Sequence, residues 1–293
     1  DALVDTEALG RCFFKLQELG VLGFKEAAQN KAVFSGAKSV DVAVEDLYKP
    51  LVNFGVHTFF SILRGASSGE EYIKRAKALG HTAVVLTDRG NMSGSLDFYR
   101  RCKEEGLKPI IGCEINIFGE DEGAAYVQKV IIKDKNGYTN LNKLLFLSHT
   151  DGFLNGESRI KVEWLLENKE GLMVSTSGYD GYIADLVTRG RRADAEAFIL
   201  KLKAAFGDDL FSEIKFCELP EQKDFNEFIL SMALKHNIKV ILDNDVHYAM
   251  PEGNELQDTV FTIGQHGASL KKGKLFERRS LYYPSRKNFM DFN

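Results

Sequence analysis

His57, Asp88, Glu114, Asp243, Asp245 and His247 are carboxylates and imidazoles, and each stands at or just after the end of a short apolar run. Such side chains are the hard and borderline ligands that hold Zn, Mn or Fe. If the runs are strands of one α/β barrel, their C-terminal ends meet at a single mouth and these groups converge there. Asp245 and His247 are two residues apart, which on a strand places both side chains on one face. Each residue also has an ordinary structural reading. Asp88 can cap the following helix, Glu114 can pair with an arginine, and a lone histidine can fill a structural role.

The elements that must position these groups alternate along the chain. Leu51–Val56 reads as a strand. A helix follows, with Ser68 as its cap, Glu70 and Glu71 in its first turn, Tyr72, Ile73, Ala76 and Leu79 on one face, and Gly80 as its stop. Ala83–Leu86 is wholly apolar, as in a parallel strand buried on both faces. A second helix is expected from about Ser93 to Glu105, then a strand at Pro109–Ile111. Later strands are expected at Val130–Ile132, Leu172–Val174, Leu210–Ile214 and Val240–Leu242, with helices at Asp194–Phe206 and Gln222–His236. The alternation predicts βα units and a parallel sheet closing into a barrel. No GxGxxG is present, which argues against a dinucleotide fold.

Residues 1–50 differ from the rest. Leu9, Cys12, Phe13, Leu16 and Leu19 recur at helical spacing before Gly20, and the segment reads as an N-terminal helical appendage to a barrel domain over 51–293. The 293 residues suit one barrel with an addition. The net charge of −4 argues against autonomous DNA binding, which favours a basic surface. Cys12, Cys102, Cys113 and Cys217 form no CxxC pair, so neither a zinc knuckle nor a disulfide framework is expected and the reducing cytoplasm is the default. No apolar run is long enough to span a bilayer.

Five segments carry a more specific resemblance. They are Leu86-Thr87-Asp88-Arg89-Gly90-Asn91-Met92-Ser93-Gly94, Lys108-Pro109-Ile110-Ile111-Gly112-Cys113-Glu114, Gly137-Tyr138-Thr139-Asn140-Leu141, Asn244-Asp245-Val246-His247-Tyr248 and Asn53-Phe54-Gly55-Val56-His57-Thr58. In order and spacing they resemble the LTDHGNMxG, KPIIGCE, GYxNL, NDVHY and HLHVHS motifs of the PHP domains in bacterial polymerase III alpha subunits, over roughly residues 51–285. The resemblance implies a distorted (β/α)7 barrel. Intact members of that family are similar to trinuclear metal phosphoesterases, and some remove nucleotides from a primer 3′ end with Zn or Mn.

Carried over position by position, the resemblance implies a damaged ligand set. His57, Glu114, Asp245 and His247 remain. Gly55, Arg64, Arg89, Val127 and Gly178 fall where the family has ligands. Four side chains do not hold three metals, so no cofactor, or at most one Zn or Mn ion, is expected. A guanidinium cannot ligate a cation, so Arg64 and Arg89 are expected to replace metal with salt bridges, and loss of Arg89 to be costly.

The expected function is that of a structural or docking module in DNA replication, without catalytic residues of its own. The parent would be a DNA-directed DNA polymerase, a nucleotidyltransferase. No closely spaced acidic triplet for two Mg ions is present. The expected partners are the rest of a replicative polymerase or other replisome proteins, including a proofreading exonuclease, with DNA met only indirectly and no membrane. Two other readings stay open: a phosphoesterase or 3′–5′ exonuclease with a reduced metal site, and a stand-alone replication-interaction protein.

Overall fold

The structure is a computed structural model that describes residues 52–120, 124–215 and 220–264. The expected N-terminal helix, Leu51, Cys12 and Cys217 lie outside the described residues.

The chain runs through α1 (Gly69–Ala78), β1 (Ala83–Leu86), α2 (Ser95–Glu104), β2 (Lys108–Phe118), β3 (Ala125–Ile132), α3 (Lys135–His149), a small hairpin β4 (Phe153–Leu154) and β5 (Glu157–Ser158), and α4 (Val162–Glu167). It continues through β6 (Leu172–Ser175), α5 (Tyr182–Thr188), α6 (Arg192–Phe206), β7 (Leu210–Lys215), α7 (Pro220–His236), β8 (Lys239–Asp243) and α8 (Asn254–Gly264). Six strands form one curled sheet in the order β1-β2-β3-β6-β7-β8.

The expected first strand is an extended segment with a single bridge, Val56 to Val246. It still does the work of a seventh strand. Thr87 N donates to Val56 O on the β1 side, while Phe54 N donates to Leu242 O and His57 N to Val246 O on the β8 side. The segment therefore links the two edges of the sheet. The barrel interior agrees: Val52, Phe54, Ala83, Val85, Ile131, Met173, Phe211 and Ile241 form one buried cluster, joined by partly buried Ile110. Every one of the seven segments contributes to it.

The sheet is not wholly parallel. β3 pairs antiparallel with both β2 and β6. Only six residues separate β2 from β3, too few for the crossover that a parallel partner requires, so the chain turns back.

The helices follow their sequence signals. Ser68 and Glu71 form a reciprocal capping box on α1: Glu71 N donates to Ser68 Oγ, and Ser68 N donates to the Glu71 carboxylate. α3 was not expected, although its first turns carry the Gly137-Tyr138-Thr139-Asn140-Leu141 motif. That motif docks the helix: a Cβ on Gly137 would lie 1.8 Å from Gly171 O, and Asn140 Nδ2 donates to Glu170 O.

His81 follows α1 and is buried. Burial, with Arg75 beside it, pushes its imidazole down to about 4. The folded state thus disfavours the charged form, so stability is complete above the unfolded pKa near 6.5 and declines as pH falls from there towards 4. Denaturant unfolding at pH 7.5 and 4.5 is expected to show a loss of about 2 kcal/mol that His81→Asn removes. An equal pH dependence in the variant would assign the loss elsewhere.

Candidate metal centre

The strands change character along their length. On β7, Phe211, Glu213 and Lys215 follow at two-residue spacing and share a face. β8 repeats the change with Ile241 and Asp243, and β6 with Met173 and Ser175. On antiparallel β3 the order reverses, and Ile131 lies on the apolar side of Lys129. One end of the interior is therefore an apolar plug and the other a charged mouth.

Three candidate ligands meet at the mouth. His57 Nε2 lies 3.3 Å from Asp245 Oδ1, and His247 Nε2 lies 3.4 Å from the same oxygen. The two imidazoles stack with centroids 4.5 Å apart. Glu114 stands beside them, its Oε1 3.5 Å from His57 Nε2. Asp245 and His247 reach the site from a turn beyond β8, not as alternating strand positions. Asp245 has φ 50°, a left-handed conformation that aspartate tolerates better than most residues, and its N–H donates to Asp243 Oδ1 at 2.8 Å.

His57 is held by Tyr72, whose hydroxyl donates to His57 O at 2.9 Å. Burial lowers the His57 pKa, but Glu114, Asp245 and Asp88 outweigh it and the net shift is upward. His247 shifts downward through burial and the neighbouring His57. The stacked pair is thus asymmetric, with His57 the partner that favours a proton.

Asp88 neither caps α2 nor joins the imidazoles. It accepts from Thr58 N, Thr58 Oγ1 and Ser61 Oγ, at 2.7, 2.7 and 2.6 Å. The N-cap of α2 is Gly94, without a side-chain bond.

The positions expected to have lost ligands carry the fold's main surprise. A Cβ on Gly55 would lie 2.2 Å from Asp243 Oδ1, and one on Gly178 would lie 2.3 Å from Lys215 Cε. Val127 is buried two residues from Lys129 on β3 and offers no donor atom in its side chain. Arg64 is half-buried; burial and Arg89 lower its pKa, while Glu114, Asp180 and Asp245 oppose the shift.

The most buried cations here are lysines that the sequence reading did not select. Lys129 Nζ contacts Asp243 Oδ2, lies 3.1 Å from Glu213 Oε2, and lies 3.8 Å from Glu114 Oε1. Lys215 Nζ lies 3.7 Å from both Asp243 Oδ2 and Asp245 Oδ1, and 3.9 Å from Asp180 Oδ1 and Glu213 Oε1. Arg89 is more peripheral. It bonds Asn116 Oδ1 and sits 3.6 Å from half-exposed Asp180. With its one ion pair among the described residues partly exposed, Arg89→Ala is expected to cost about 1 kcal/mol in denaturant unfolding, as for solvent-screened pairs, and a loss several times larger would restore the marked cost expected from the sequence. The available signals were a lysine inside an apolar strand, Val127 to Ile132, and the Glu213/Lys215 pair at strand spacing.

Burial and the nearby Asp243 push Glu213 up to about 7 against the pull of Lys129. Asp243 is itself buried, yet Lys129 and Lys215 hold it well below the usual carboxylate range.

Among the described residues, His57, Asp245 and His247 place ligand atoms within 4.8 Å of one another. Among the described residues, buried His57 Nε2 makes no hydrogen bond of good geometry and faces only the carboxylates of Asp245 and Glu114, an arrangement that an ion between them would satisfy. These residues fit one metal ion.

Comparison with known proteins places this geometry. The family model for the PHP domain matches residues 54–215. The DNA polymerase III subunit alpha of Treponema pallidum is 35% identical over 223 residues, covering 73% of this chain and 19% of that protein. That of Aquifex aeolicus is 35% identical over 221 residues, covering 70% and 19%. The chain thus spans about a fifth of these relatives' length. A solved amidohydrolase from Chromobacterium violaceum is 14% identical with a TM-score of 0.48, covering 67% of this chain and 87% of that one. No helix among the described residues is long and apolar enough to cross a membrane. With more than half its length matched by the family model, in a curled βα barrel, the chain belongs to the PHP domain family, and it is related to polymerase III alpha subunits.

Proposed function

We propose that the chain serves DNA replication as the PHP module of a polymerase III alpha-like protein, in a structural or docking role, with its metal site reduced to a single position. His57, Asp245 and His247, with Glu114 beside them, are the residues that would hold the one ion, Zn or Mn. Gly55, Arg64, Arg89, Val127 and Gly178 are the positions where ligands have been lost. Nucleotidyl transfer would belong to the rest of the parent protein, and the partners would be that remainder and other replisome proteins, a proofreading exonuclease among them. The observation that carries this reading is the pairing of the mouth's innermost carboxylates with lysines, which leaves three convergent ligand groups instead of a multinuclear set.

Elemental analysis after loading with Zn and Mn tests it. At most one ion per chain is expected, lost in His247→Ala, with no metal-dependent release of nucleotides from a DNA 3′ end. Two or more ions per chain would sink the reading.

The convergent trio favours one second reading, a metal-dependent phosphoesterase or 3′–5′ exonuclease with a reduced site. A bound ion would supply a Lewis acid and a more acidic water. Buried His57 and His247 would fix its position, and a proton would compete with the ion for the upward-shifted His57. Manganese-dependent hydrolysis abolished by His247→Ala would select this reading.

A further inference from the structure

We propose that the ammonium groups of Lys129 and Lys215 are built-in replacements for metal ions, acting as the permanent counter-charge of the buried carboxylates at the barrel mouth. Lys129 reaches three carboxylates from three strands: Glu114 of β2, Glu213 of β7 and Asp243 of β8. Lys215 reaches Glu213 and Asp243 and adds Asp245 and Asp180. One cation bridging several carboxylates is the arrangement a metal ion makes. Here the cation is tethered to the chain and needs no loading.

Burial makes a counter-charge obligatory for Asp243, which the two lysines keep ionised. The side chains of Glu213 and Asp243 are 0% exposed and that of Lys129 is 1% exposed. Breaking such a pair from one side leaves an uncompensated charge in a poorly polarisable surrounding. A lysine suits the position because its charge is compact and its stem thin, so it extends along the strand face into the cluster. Glu114 and Lys129 are direct cross-strand partners in the β2–β3 register, which sets the reach.

The two glycines complete the argument. Gly55 leaves the space that the Asp243 carboxylate fills, and Gly178 leaves the space that the Lys215 stem fills. Both are positions where the family resemblance expects a ligand. Loss of a ligand side chain and entry of a lysine–carboxylate pair are thus one packing change.

The inference rests on the reading of the mouth as depleted in metal, but the two fail separately. Ion counts after loading decide that reading, and melting temperatures decide this one. The chain would be melted as wild type, His247→Ala, Lys129→Met, Lys215→Met and Lys129→Met/Asp243→Asn, with and without EDTA. Lys129→Met is expected to melt about 10 °C lower, and Lys215→Met about 5 °C lower. The double variant should recover at least half of the Lys129→Met loss, because the charges leave together. EDTA should move the His247→Ala chain by no more than about 2 °C. Melting of Lys129→Met within about 2 °C of wild type would overturn the proposal. So would a chelator-dependent loss that persists in His247→Ala. If Lys129→Met does not fold, the other two lysine variants decide: an unshifted Lys215→Met, or a double variant that also fails to fold, overturns it.

Discussion

Gly55→His should lower the melting temperature by roughly 10 °C and take up no additional metal ion. The family resemblance places a ligand histidine at this position, so the substitution looks like a repair. The packing opposes it. A Cβ at residue 55 would sit 2.2 Å from Asp243 Oδ1, 2.5 Å from Oδ2 and 2.6 Å from Cγ. Asp243 cannot swing away cheaply, because Asp245 N donates to its Oδ1 and Lys129 binds its Oδ2. Overpacking alone costs about 1–3 kcal/mol, and pulling Asp243 off Lys129 adds part of the penalty for separating a buried ion pair, about 3–5 kcal/mol. Gly55→Ala should move in the same direction, since the Cβ already collides. Melting curves and zinc content of both variants provide the check. A stable Gly55→His chain that binds one more ion than wild type would mean that the mouth is still a metal centre lacking one ligand.

Asp88→Ala should cost about 4 kcal/mol through lost hydrogen bonds to three buried donors. The Asp88 carboxylate gathers Thr58 N, Thr58 Oγ1 and Ser61 Oγ, and Ser61 Oγ in turn accepts from Arg89 N at 3.1 Å. Removing it leaves these donors facing a cavity. Ser61 Oγ also lies 3.4 Å from His57 Nδ1, so the turn that orients His57 loosens with it. The turn carries exposed Phe59, Ile62 and Leu63, which makes it a natural cleavage site once its anchor is gone. Denaturant midpoints and limited proteolysis with chymotrypsin should move together. Asp88→Asn should lose less, because its amide oxygen still accepts while its NH2 faces a donor. Wild-type stability in Asp88→Ala would show that the turn is held by other contacts.

Much of the fold was legible in the sequence because its signals are local. The all-apolar Ala83–Leu86 is a strand with those bounds, and Ser68 with Glu71 starts the preceding helix as the cap chemistry demands. β6, β7 and β8 fall on the expected apolar runs, and α6 and α7 on the expected helical stretches. Ligand-type residues at strand ends pointed to the mouth, where His57, Glu114, Asp245 and His247 do converge.

Other features depend on what lies across the barrel, and no local pattern carries that. The direction of β3 follows from the length of the link before it. The convergence of Asp245 with His247 follows from a left-handed turn, not from strand alternation. The sequence by itself determined most of the elements, their order, the family and the residue types at the mouth. Only the tertiary structure decided which charges meet. Lys129 and Glu213 are far apart in the chain, and a lysine inside an apolar strand acquires meaning only when carboxylates of neighbouring strands surround it. The physical reason is burial. In water these ionisable groups would be independent, whereas in the closed mouth each must find its counter-charge among the side chains that the barrel brings within reach.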